Sequence, residues 1–102
     1  FEQKGDHADE METSLMLYLK PELILPREQW GDGAEKKHKI KAFSEEWLWT
    51  ERKWSKISAD TGVGNPHQST EDKGAQFFKD LTSKFSDLMI NLSNMDVNNM
   101  YG

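Results

Sequence analysis

The feature that most constrains this chain lies towards its C-terminal end. Phe78, Leu81, Phe85, Leu88, Met89 and Leu92 recur at spacings of three and four residues. That period belongs to an α-helix with one apolar face. Ser69 or Thr70 is suited to cap it, and Glu71 and Asp72 would fill its first turn. The stripe runs for about six turns, long enough to cover the face of a sheet. Its Phe and Met residues are expected to be core. The tail 94–102, rich in Asn, reads as frayed.

A second helix is expected near the other end. Asp9 is a plausible cap or first-turn residue, and Pro21 closes the pattern. On that helix Ala8, Glu12, Leu15, Met16 and Leu19 share a face, which makes Glu12 the odd member of an apolar stripe. A carboxylate placed there has to be paired, protonated or bound to a metal, because burying it alone is costly. Five side chains between Asp6 and Thr13 are acidic or imidazole. His7 falls just before the helix, where free backbone N–H groups and the positive end of the dipole gather. Acidic residues are also ordinary in a first helical turn, and that alone accounts for Asp9 and Glu10. No metal motif of fixed spacing is present, since His7 and Glu12 are five apart rather than the four of an H-E-x-x-H helix. The local chemistry marks a site without naming a reaction.

Between the helices the chain is less regular. Pro21 and Pro26 bracket Glu22-Leu23-Ile24-Leu25, a short apolar run that fits a brief strand or a turn of helix. Gly31-Asp32-Gly33 marks a loop. The basic run Lys36-Lys37-His38-Lys39-Ile40-Lys41 reads as a solvated face, with His38 exposed. Trp47, Trp49 and Trp54 follow. Trp47 and Trp54 would share a helix face, and the three can pack a core, line a pocket or bury into a subunit contact. The glycines of 62–64 fit a tight turn leading into the last helix, and also a close backbone approach to a ligand. His67 has no spacing that ties it to a metal.

Size and charge limit the function classes. With 102 residues the chain is one domain at most. A net charge of −5 argues against a general nucleic-acid binder. Absence of cysteine removes disulfides and thiolate metal sites. No apolar run is long enough to span a membrane. A cytoplasmic location is the natural expectation. The layout taken alone is mostly α.

Two stretches carry a resemblance. His7-Ala8-Asp9-Glu10-Met11-Glu12-Thr13-Ser14-Leu15-Met16-Leu17, followed by Pro21-Glu22-Leu23, resembles the C-terminal signature H-A-G-E-x-E-T-S-x-M-L of the creatininase (creatinine amidohydrolase) family. Thr61-Gly62-Val63-Gly64-Asn65-Pro66 with Ser69-Thr70-Glu71-Asp72-Lys73-Gly74 resembles the family's T-G-V-x-G-x-P, A-T-x-E-K-G segment. Asp9 stands where the family usually has Gly, and Asp6 where some members have Glu.

The resemblance implies an α/β class, with this chain as the C-terminal part of a three-layer α/β/α fold whose strands mostly lie upstream of Phe1. One strand would end near Gln3-Lys4-Gly5. Residues 1–102 would then be the C-terminal portion of a single domain whose N-terminal portion is missing. The implied activity is metal-dependent hydrolysis of a C–N bond in an amide, usually cyclic, with one or two zinc, manganese or iron ions in the complete enzyme. His7 matches the family's proton-shuttling histidine, and Asp6 would orient it or touch substrate. Glu12 matches a family glutamate and would face the metal as ligand or outer partner. The family's main metal ligands belong to its N-terminal portion, so this chain alone is expected to be inactive. A small-molecule amide substrate and a homo-oligomer are the implied partners. An alternative of another class is a free-standing helical interaction module using the Trp-rich segment.

Overall fold

The computed structural model describes all residues, 1–102. It is mostly helical. Helix α1 spans Glu10–Leu19, α2 Lys41–Ser44, α3 Trp54–Ile57 and α4 Glu71–Asn94. Three single 3₁₀ turns, Pro21–Leu23, Arg27–Gln29 and Pro66–Gln68, punctuate the connections. The apolar run after Pro21 therefore begins as a turn of helix, not as a strand.

Both long helices start where their sequences place a cap. The Asp9 carboxylate accepts from the Glu12 amide at 2.9 Å, and the Thr70 hydroxyl accepts from the Lys73 amide at 3.1 Å. Each satisfies one of the donors a first turn leaves free. Helix α4 is 24 residues long, about 36 Å, whereas α1 has 10, about 15 Å. So α1 can cover only the first part of α4. Contact there is close because Gly74 has no side chain. A Cβ on Gly74 would collide with the Ser14 carbonyl of α1. Tyr18 against Phe78 and Phe1 against Phe77 flank this crossing, with ring centroids 5.8 and 5.6 Å apart.

The apolar stripe of α4 is not core within these residues. Phe85, Leu88, Met89 and Leu92 are exposed, and Val63 is the one large apolar side chain that is buried. The Cα radius of gyration is 18.3 Å, against about 13 Å for a closed globule of ~100 residues. The stripe has no second layer to lie on.

No sheet forms within residues 1–102. Gln3-Lys4-Gly5, expected to end a strand, is irregular, and the extended chain makes one isolated antiparallel bridge, His7 to Val63. A strand needs a neighbour, and the only backbone alongside is the short Val63 loop. The tryptophan segment also differs from expectation. It is two single-turn helices, α2 and α3, separated by an irregular stretch in which Glu46 has φ +64°. Single turns do not sustain a helix on their own, so Trp47 and Trp54 share no helical face. Trp47 and Trp49 are exposed while Trp54 is half-buried.

Candidate active site

The two stretches that resembled one family meet in space. The Val63 carbonyl accepts from the amides of Asp6 at 2.9 Å and His7 at 3.3 Å, and the Val63 amide donates to the His7 carbonyl at 2.9 Å. Gly5 and Gly64 lie so close that a Cβ on either would strike the other's backbone, and Gly64 has φ +113°. Gly64 of the second stretch thus lets the segment leading to His7 approach.

Further along, the same two stretches are tied by polar side chains. The Ser69 hydroxyl donates to the Glu10 carbonyl at 3.0 Å, and the Ser14 hydroxyl accepts from the Thr70 amide at 3.2 Å. Glu10 is wholly buried, 0% exposed. Its carboxylate accepts from Lys73 Nζ at 2.6 Å and from the Gln3 and Glu2 amides at 2.6 and 2.8 Å. Desolvation pushes the Glu10 carboxyl up. The Lys73 hydrogen bond, the two amides and the lysine's charge outweigh it, and the group is held below the usual carboxylate range. Lys73 is correspondingly raised, chiefly by its hydrogen bond to Glu10.

This corrects the expected face of α1. Glu12 is exposed. Its carboxylate reaches back to the Ala8 amide at 2.6 Å, while its own amide bonds Asp9. That is a capping arrangement, closing the turn in which Ala8 takes φ +49°. The buried face carries Glu10, Thr13 and Ser14 instead, spaced i, i+3, i+4. The apolar side chains mistook the direction: α4 approaches the small polar side of α1 because Gly74 allows it.

Asp6 does not hydrogen-bond His7. Both of its oxygens lie 2.9–3.0 Å from one guanidinium nitrogen of Arg52. Arg52 in turn lies over the Trp54 ring, 4.5 Å from the centroid. The Trp54 and His7 rings meet in a T-shaped contact, centroids 5.1 Å apart. Singly such contacts are weak, an exposed ion pair being worth ~0.2–1 kcal/mol. Beside Asp6 opens a cleft of about 670 Å³ whose walls include Arg52, Lys53, Lys56, Trp49 and Phe43. Its volume matches a small-molecule site. His38 stands on the wall of the same cleft, against Phe43, while His67 lies elsewhere, against Trp30.

Residues 1–89 match the family model described as creatinine amidohydrolase, Creatininase. The chain belongs to the creatininase family. Among solved structures it is similar to a protein of Bacteroides fragilis NCTC 9343 described as a candidate creatinine amidohydrolase, at 37% identity and a TM-score of 0.87. That match covers 95% of this chain and 38% of the Bacteroides chain. No curated protein matches the chain.

Creatininase-family resemblance implies a divalent metal, and the donors can be tested for it. No three His, Asp or Glu side chains of this chain come together in a group that could hold an ion. Asp6 is taken by Arg52, Glu12 by the Ala8 amide and Glu10 by Lys73. These residues do not make a metal centre by themselves. Sequence reading missed Arg52, Glu10 and Lys73 as members of this cluster. Glu10 and Lys73 both lay inside the quoted motifs. Nothing local pointed to Arg52, which is 46 residues from Asp6.

Proposed function

We propose that this chain is the C-terminal portion of a single three-layer α/β/α domain that hydrolyses the C–N bond of an amide, cyclic as in creatinine. The observation that carries the reading is the convergence of both family motifs on His7, through the Val63 bridge, beside a cleft of small-molecule size. In this reading the main ligands of the divalent ions, zinc, manganese or iron, are residues outside the chain. When bound, they supply an acidified water.

The chain's own contribution is a placed imidazole. His7 takes or gives a proton at a ring nitrogen as the C–N bond breaks, work suited to imidazole near neutral pH. Asp6 acts on substrate or through Arg52, since its carboxylate is turned to the guanidinium. Glu12 shapes the Ala8 turn that delivers His7 through Oε2, and its other oxygen, Oε1, is left for the rest of the domain as metal ligand or outer partner. The exposed Trp47 and Trp49 are read as a contact with another copy in a homo-oligomer.

The test is expression of the chain together with its upstream reading frame, assayed on creatinine and related cyclic amides with Mn²⁺ or Zn²⁺. His7→Asn should lower kcat by ~10²–10⁴-fold, and residues 1–102 alone should show no turnover. An undiminished kcat in H7N defeats the role given to the histidine. Hydrolysis by the isolated chain defeats the division of the site.

A further inference from the structure

The His7 backbone is fixed by its bridge to Val63, but that bridge leaves the side-chain rotamer free. Within the chain the hydrogen-bonded histidine rings are those of His38 and His67. The one ring-level contact of His7 is with Trp54. Trp54 begins a four-residue helix that cannot hold its own geometry. One face of its ring is covered by the Arg52 guanidinium. Arg52 is itself anchored on Asp6, the residue next to His7.

We propose that Arg52 and Trp54 are positioning residues that set the rotamer of the His7 imidazole through a closed circuit of contacts, Asp6 to Arg52 to Trp54 to His7. The circuit leaves the chain at Asp6 and returns to it one residue later. It therefore fixes the His7 ring relative to its own backbone. It also assigns Asp6 a use other than accepting from His7 directly. A planar guanidinium is required, because one face must lie on the indole while an edge nitrogen reaches the carboxylate. A lysine ammonium is a compact point charge that can meet a ring or a carboxylate but has no flat face to stack while an edge nitrogen bonds. The proposal rests on the role given to His7 above, but its test reads geometry rather than turnover, so the two can fail separately.

The experiment is NMR on the 102-residue chain, following nuclear Overhauser contacts between the His7 ring protons and the Trp54 indole. Wild type should show them. Arg52→Met and Arg52→Lys should both lose them, as should Asp6→Asn. Lys53→Ala, adjacent in sequence but outside the circuit, should keep them. Their absence in wild type overturns the proposal, as does their persistence in R52M or R52K. Loss of dispersed α1 and α4 amide signals in R52M would also overturn it, because Arg52 would then be holding the fold and not the ring.

Discussion

The two halves of α4 differ in what they touch and in what they are made of. The first half lies against α1 and the motif loops through Gly74, Lys73 and Thr70, a seam of small and charged groups whose buried side-chain nitrogens and oxygens are all hydrogen-bonded. The second half carries Phe85, Leu88, Met89 and Leu92 into solvent. Burial and apolarity have parted company along one helix. The polar half is specific because each buried group needs a named partner. The apolar half is built to bury area and has nothing here to bury against. Changes in the seam should thus cost more than changes in the stripe, which inverts the usual ranking of apolar over polar positions.

The largest effect should come from Gly74→Leu. Its side chain must displace the Ser14 backbone, and α1 and α4 cannot separate without breaking the Ser14–Thr70 and Glu10–Lys73 links. A loss of ~3 kcal/mol is expected, the upper end for overpacking, read as a lowered urea midpoint. Next comes Glu10→Ala, which strips the Glu2 and Gln3 amides of their acceptor at a cost of ~2 kcal/mol. The same carboxylate gives a pH signature. Because its folded pKa is depressed, the stability it adds is present above its unfolded value, near 4.5, and is lost as pH falls through the folded one. Wild type should therefore lose stability below about pH 4.5, and Glu10→Gln should flatten that part of the curve. An E10Q profile parallel to wild type in acid would show that Glu10 is not what links the seam to pH.

How much of this was legible depended on whether the signal was local. Both caps could be read because Asp9 and Thr70 act within their own first turn. The α4 stripe could be read as a period. Its burial could not, because a period says which side is apolar and not whether a second layer is present. The buried face of α1 was hidden for a related reason. The stripe Ala8, Glu12, Leu15, Met16, Leu19 points to an apolar contact, yet helices also approach along small residues. Thr13, Ser14 and Gly74 were the available clue. The family motifs marked His7 and the Val63 loop separately, and only the structure brings them together, because a bridge between residues 56 apart in the chain leaves no local signal. Arg52 and Trp54 were beyond reach, since a contact spanning 46 residues leaves no trace in spacing.

The smallest expected effect is the most informative about the stripe. Phe85→Ser removes an aromatic ring from the middle of the α4 apolar stripe. In an ordinary core Phe→Ala costs about 3–5 kcal/mol. Here Phe85 is 53% exposed and beyond the reach of α1, so the change should fall within the ±0.5 kcal/mol typical of surface positions. The control is the same substitution in the protein extended upstream of Phe1. If a sheet from that portion lies on α4, the cost should climb to the core value, because the same ring is then taken out of a packed layer. An equal, small cost in both proteins would leave the stripe without an intramolecular partner and would remove the α/β/α layering from the proposed domain. A core-sized cost in the 102-residue chain alone would mean that the chain already buries Phe85, and the contrast between the halves of α4 would not stand.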